Sequence, residues 1–293
     1  KLSCPVISVG NLSVGGTGKT SCVEYLAQRL RGLGRRVCIL SRGYGGSDKR
    51  PYILTQQGSQ LLVNGHPPTS AVLPDEPQLL ARHLEGVPIL VGARRARTGR
   101  LAVERLQPDV ILLDDGFQHR RLARDCEIVL VNARMPLSGW PLLPRGPLRE
   151  PLSSLARADV VILTKVDQSM ESAAALRERL RPLAPKAAMV TAIHEPVHLE
   201  DAASGQRLPL EQLGKAQVGL LSSIGDPEGF EQTVKALGAP VQGHQIYPDH
   251  YRYRAFDWQE VLRWASVLGV EALVTTEKDL VRLRPWLRTV DPG

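Results

Sequence analysis

Short apolar runs recur along the chain at residues 6–9, 37–40, 89–91, 110–113, 128–131 and 160–163. Most are separated by stretches with a helical repeat, such as 22–33 and 98–106. Runs that are apolar on both faces and alternate with amphipathic helices predict parallel strands covered by helices on both sides. Residues 52–63 break the rhythm. They alternate in polarity around Gln57-Gly58 and Asn64-Gly65, which predicts a small β excursion. A strand is predicted at 188–191, and residues 194–217 are polar, with Gly205 and Pro209, and read as a linker or hairpin. A second, shorter series follows: strands at 218–222, 241–247 and 272–275, helices near 227–237 and 258–268, and a final helix. The predicted organisation is α/β, a P-loop NTPase-type parallel sheet with helices on both faces (1–193), a linker or β hairpin (194–217) and a smaller C-terminal α/β lobe (218–293). A cleft between two such lobes is expected.

With 293 residues, 43% of them hydrophobic, the chain is long enough for a sizeable core, and collagen-like and disordered classes are excluded. Cys4, Cys22, Cys38 and Cys126 are widely spaced and form no CxxC pair, so zinc and thioredoxin-type chemistry are not indicated and reduced thiols are expected. Trp140, Trp258, Trp264 and Trp286 are expected in the core or at a lobe interface. No apolar run reaches the roughly 18 residues needed to cross a bilayer. The net charge of +7 suits anionic partners: a nucleotide, a phosphorylated substrate or an acidic membrane surface. The arginine pairs 94–95 and 120–121 are scattered and accompany no nucleic-acid recognition motif, so no nucleic acid is expected.

The first run leads into Gly10-Asn11-Leu12-Ser13-Val14-Gly15-Gly16-Thr17-Gly18-Lys19-Thr20 and then a helical pattern. The phosphate-binding loop has the form GxxxxGK(S/T), and only its first position, Ser13, departs from it. Gly15, Gly16 and Gly18 let backbone N–H groups turn toward phosphates, and the helix start adds its dipole. Lys19 is placed to reach the β- and γ-phosphates, and Thr20 to offer its hydroxyl to Mg²⁺. Such a loop needs a carboxylate at a neighbouring strand end. The run 110–113 leads straight into Asp114-Asp115, two acids whose repulsion calls for a cation nearby. The next residues, Gly116-Phe117-Gln118-His119, set a phenylalanine in a polar loop and suggest a shaped site.

Pro74-Asp75-Glu76-Pro77 precedes a helix. Asp75 is read either as its N-cap or as a general base for an attacking hydroxyl, with His250 of Pro248-Asp249-His250 as a possible partner. Thr164-Lys165-Val166-Asp167 resembles the guanine-reading motif of GTPases, so a nucleotide switch or metallochaperone GTPase stands as the alternative. A carboxylate-activating ligase is a third reading.

The chain resembles the tetraacyldisaccharide 4′-kinase (lipid A 4′-kinase) family over nearly its whole length. The resemblance rests on VGNLSVGGTGKT, LSRGYGG at 40–46, Asp75-Glu76-Pro77, LLDDGFQH, GPLRE at 146–150, Pro248-Asp249-His250 and TTEKD at 275–279. It implies transfer of the γ-phosphoryl group of ATP to the 4′-hydroxyl of a tetraacylated glucosamine disaccharide 1-phosphate at the cytoplasmic face of the inner membrane. It implies Asp75 as base with His250 as its dyad partner. Asp114, Asp115 and Glu150 become metal-associated acids, Arg95 and Arg149 lie near the transferred phosphate or the substrate 1-phosphate, and Gln118 and His119 sit beside the nucleotide. Two α/β/α lobes joined by a β linker are implied as well, and a monomer is expected. Family members usually begin with a hydrophobic N-terminal helix, and this chain starts at Lys1, just before the first strand. The expectation is either an anchor lying ahead of Lys1 or peripheral contact with the bilayer.

Overall fold

The computed structural model describes residues 1–44, 46, 50–68, 73–134 and 141–287. Gly45 of the LSRGYGG stretch and Trp140 lie outside the described residues. The chain divides into two units, Lys1–His194 and Glu195–Gly293.

The first unit contains β1 (Val6–Asn11), α1 (Lys19–Gly32), β2 (Val37–Ser41), β3 (Tyr52–Gln57), β4 (Gln60–Val63), α2 (Asp75–His83), β5 (Ile89–Val91), α3 (Arg95–Leu106), β6 (Val110–Asp114), β7 (Cys126–Asn132), β8 (Val160–Thr164), α4 (Ala173–Leu180) and β9 (Ala188–Ala192). They build a nine-stranded sheet of order β4-β3-β5-β2-β6-β1-β7-β8-β9. Pairing is parallel from β5 across to β9. The excursion at 52–63 is an antiparallel hairpin that extends one edge of this sheet.

Alternation along β6 shows why both faces need helices. Ile111 and Leu113 point into a layer with Val6, Leu40 and Ala102 of α3. Leu112 points the other way, into a layer with Val9, Ile39 and Val23 and Ala27 of α1. All three β6 side chains are fully buried, and each such burial stabilises the fold by about 1.5–3 kcal/mol. The helices α1 and α3 begin three residues earlier than the apolar repeat predicts, at Lys19 and Arg95. Their first turns carry polar site residues, which hide the start from any reading of hydrophobic period.

The second unit contains a two-stranded antiparallel ribbon, β10 (Leu199–Glu200) with β11 (Arg207–Leu208), within the polar 194–217 stretch. It continues with β12 (Val218–Ser222), α5 (Pro227–Ala236), β13 (Val241–Ile246), α6 (Ala255–Leu268), β14 (Ala272–Thr275) and α7 (Glu277–Leu287). The strands form a three-stranded sheet of order β13-β12-β14, parallel throughout. Trp258 is buried and Trp286 packs in the same cluster, while the Trp264 ring covers Gly219 and Gly243 so closely that a methyl group at either would touch it. All four cysteines are free, and burial pushes the Cys22 thiol up to about 11 and Cys38 up to about 12. No helix among the described residues is long and apolar enough to cross a membrane.

The β1–β6 pairing positions the site. Val9 lies beside Asp114 in parallel register, so the loops leaving both strands emerge together. The Gly116 amide donates to the Val9 carbonyl at 3.0 Å, and the following backbone passes directly over Gly10. A Cβ on Gly10 would stand 2.5 Å from the Phe117 Cβ and 2.6 Å from its amide nitrogen. Gly10→Ala is therefore expected to cost about 1–3 kcal/mol in urea unfolding. An unchanged midpoint would show that the Phe117 loop is not pinned there.

Candidate active site

The loop from β1 to α1 is held open by backbone geometry and two flanking segments. Gly15 and Gly18 have φ of 104° and 84°, values an L side chain rarely adopts. Gly18 caps α1, with no side-chain cap and no acid in the first turn, so the helix dipole there is left for an anion. Inside the loop the buried Asn11 amide donates to the Ser13 carbonyl at 2.7 Å and to the Thr17 hydroxyl at 2.9 Å. From one side, the Thr164 hydroxyl at the end of β8 donates to the Thr17 carbonyl at 3.1 Å. From the other, the GPLRE segment runs antiparallel to it. The Val14 amide donates to the Pro147 carbonyl at 2.8 Å and the Arg149 amide to the Leu12 carbonyl at 2.7 Å.

Asp114 and Asp115, adjacent in sequence, have opposite environments. Asp114 ends β6, is 2% exposed, and accepts from the Ser41 hydroxyl at 3.2 Å. Burial pushes its carboxyl up to about 7, with the charges of Glu76 and Asp115 adding to the effect. Asp115 follows at φ 50°, a left-handed conformation that ends the strand. Its oxygens accept from Arg149 Nη1 at 2.8 and 2.9 Å, and Lys19 Nζ lies 3.5 Å away. Burial raises this carboxyl too, but Lys19 and Arg149 outweigh it and hold it below the usual range.

The remaining predicted residues fall as follows. Gln118 donates to the Asn11 carbonyl at 2.8 Å, which ties the loop after β6 to the end of β1. His119 has its pKa lowered by burial and then by Arg95, Arg124, Arg121 and Arg42. Arg95 opens α3, is 3% exposed and donates to the Ala93 carbonyl at 3.2 Å. Glu150, expected among the metal-associated acids, accepts from Arg157, with bonds of 2.9 and 3.1 Å. Asp75 is not the N-cap of α2: Pro74 is, and Asp75 and Glu76 open the helix. The influence of Glu76 on Asp114 sets this helix start electrostatically against the end of β6. His250 belongs to the second unit, in the loop after β13, with Nε2 3.9 Å from the Asp249 carboxylate.

Several contributors escape a reading by motif. Arg157 both grips Glu150 and stacks over the Phe117 ring at 4.1 Å. No spacing announces it, since it ends a short 3₁₀ turn at Leu152–Arg157. Arg124 donates to the Gly116 carbonyl at 2.6 Å. Asn11 and Glu76 stood inside quoted motifs, and a polar residue at the buried end of an apolar strand was the available signal for the first.

Among the described residues no group of three or more His, Cys, Asp or Glu side chains is gathered as a metal cage. Mg²⁺ ordinarily takes one or two carboxylates, with phosphates and water completing its shell. Asp114, Asp115 and the Thr20 hydroxyl are hard oxygen donors of that kind, and a cation would offset the buried charge that now raises Asp114.

A glycine-bearing βα loop, an uncapped helix start, a lysine and a paired acid on the adjacent parallel strand define a P-loop phosphotransferase. More particularly, the chain belongs to the Tetraacyldisaccharide-1-P 4′-kinase family, whose pattern it matches over residues 1–291. It is 46% identical over 290 residues to the tetraacyldisaccharide 4′-kinase of Anaeromyxobacter dehalogenans (strain 2CP-C), covering 98% of this chain and 74% of that one. It is 42% identical over 300 residues to that of Syntrophus aciditrophicus (strain SB), covering 100% and 79%. Among solved structures it resembles the "apo" form of LpxK from Aquifex aeolicus in complex with ATP, with a TM-score of 0.68, 36% identity, and coverage of 97% of this chain and 81% of that one.

The state of Asp114 makes a pH prediction for the metal-free protein. Its carboxyl ionises at 3.8 when unperturbed and near 7 when folded. The folded state thus holds an extra proton between those values, and stability falls as pH rises through that window. Asp114→Asn removes this loss, so its stability relative to the unsubstituted chain should climb between about pH 4 and pH 7 in urea melts. A constant difference across the window would contradict the buried-acid assignment.

Proposed function

We propose that the chain transfers the γ-phosphoryl group of ATP to the 4′-hydroxyl of a tetraacylated glucosamine disaccharide 1-phosphate, in lipid A biosynthesis. The observation that carries this reading is the convergence of Lys19 and Arg149 on Asp115 at the mouth of the glycine loop. Two cations share one carboxylate there and are placed to exchange it for phosphate oxygens. Membership of the family supports the acylated acceptor.

In this reading the backbone amides of residues 13–20 cradle the phosphates, and Gln118 fixes the loop beside the nucleotide. Thr20, Asp114 and Asp115 would hold Mg²⁺, which when bound supplies charge neutralisation of the β- and γ-phosphates. Lys19 and Arg149 stabilise charge on the transferring group, and Arg95 adds a buried positive charge close to the same acids. Glu150 acts through Arg157, as an anchor for the GPLRE segment. Asp75 takes the proton of the attacking hydroxyl, at a helix start whose dipole favours its ionised form. Membership of the family supports His250 as the partner of this base. The +7 charge suits peripheral contact of a monomer with an anionic membrane surface.

Transfer of labelled γ-phosphate to the acylated disaccharide 1-phosphate in detergent micelles tests the reading. ATP should be consumed only with the acceptor present. Acceptor-independent turnover of GTP in preference to ATP would favour the GTPase alternative suggested by Thr164–Asp167. Asp75→Ala should lower kcat by about 10²–10⁴-fold with little change in the KM for ATP. An unchanged kcat would remove the base assignment. Lys19→Ala should abolish most transfer while thermal unfolding stays cooperative, and near-normal turnover would rule out its role at the phosphates.

A further inference from the structure

The segment Thr275-Thr276-Glu277-Lys278-Asp279 has no part in the chemistry above. Locally it is a helix start of the T-x-x-D kind. The Asp279 amide donates to the Thr276 hydroxyl oxygen at 3.1 Å, and that hydroxyl donates to Asp279 Oδ2 at 2.8 Å. Capping alone would leave the acid near the surface. Asp279 is instead 0% exposed, and its other oxygen collects donors from three segments. The Ser223 amide donates to Oδ1 at 3.1 Å, the Ser223 hydroxyl at 2.5 Å, Arg282 Nη1 at 3.1 Å and the Tyr253 hydroxyl at 3.4 Å. Arg282 Nη1 also bonds the Ser223 hydroxyl.

An ion pair buried this deeply is a poor route to stability, because desolvating two charges costs about as much as their attraction returns. What the arrangement does fix is position. Ser223 follows β12, Tyr253 lies in the segment after β13, and Asp279 follows β14. All three stand at the carboxyl end of the parallel sheet, the edge where open α/β sheets place ligands. The Ser223 carbonyl is the output of the network. It accepts from Arg282 Nη1 at 3.0 Å and from the His250 amide at 3.2 Å. His250 sits at φ 61°, a left-handed conformation that is unfavourable for a residue with a side chain. Tyr247, Tyr251 and Tyr253 pack against one another beside His250 in the chain, at centroid distances of 4.8–5.6 Å, two of the three pairs edge to face, and Trp286 donates to the Tyr253 carbonyl at 2.9 Å.

We propose that Asp279, acting through Ser223 and Arg282, is a positioning residue for His250, holding its backbone in the left-handed conformation from which the imidazole is presented. The inference rests on the reading of His250 as the partner of the base.

Two variants of the full chain test it, Asp279→Asn and the milder Ser223→Ala. Hydrogen exchange of the His250 amide, followed by NMR, should speed up by about tenfold or more in both. In phosphoryl transfer, Ser223→Ala should lower kcat by about tenfold while leaving the KM for ATP within about twofold. Combined with His250→Ala, it should lower kcat by no more than about a further twofold, because the effect passes through that imidazole. Unchanged His250 exchange in Ser223→Ala overturns the positioning role, as does a kcat loss that multiplies fully with that of His250→Ala. Should His250→Ala itself retain full kcat, the catalytic reading of His250 fails, while the exchange result still decides whether Asp279 holds its backbone.

Discussion

Asp115 holds the nucleotide-facing side of the molecule together. Its carboxylate is half-shielded and draws in Lys19 from the start of α1 and Arg149 from the GPLRE segment. At such separations in a partly shielded setting, each attraction is on the order of 4 kcal/mol before desolvation is subtracted. Three segments far apart in sequence therefore meet at one point. The glycine loop is braced by GPLRE through main-chain bonds, GPLRE is anchored through Glu150 to Arg157, and Arg157 covers Phe117 of the loop after β6. Asp115 makes these contacts from a left-handed backbone conformation, φ 50°, directly after β6 ends.

The two neighbouring acids divide their duties by environment. Asp114 is buried and held toward its protonated form, while Asp115 is held ionised by two cations. Pairs of titratable groups pushed apart in this way are typical of sites that handle charge in transfer. Buried Asp114 is a cost to the fold wherever its carboxyl is ionised.

The sheet was legible because its strands are apolar on both faces and bracketed by helices. The register that sets Val9 beside Asp114 makes the glycine loop and the acidic pair one site. The start of α1 at Lys19 was legible from the glycine loop ahead of it, whereas α3 starts at Arg95, ahead of its apolar repeat, because polar residues fill its first turn. Motifs named the glycine loop, because a phosphate cradle needs glycines at fixed places. They did not name the supports. Arg157, Arg124 and Ser41 act through contacts between loops and strand ends that follow no fixed spacing, and such contacts leave no local pattern. Asp279 shows the converse: its local pattern announces a cap, and only its burial reveals further work.

The central claim is that Lys19 and Arg149 are shared between Asp115 and the nucleotide phosphates. Calorimetric titration of ATP in the presence of a chelator tests it most directly. With Asp115→Asn both cations lose their carboxylate, and a negative charge beside the phosphates is removed. ATP free of metal should then bind several-fold more tightly, by about 1 kcal/mol or more. Equal or weaker binding by Asp115→Asn would contradict the account.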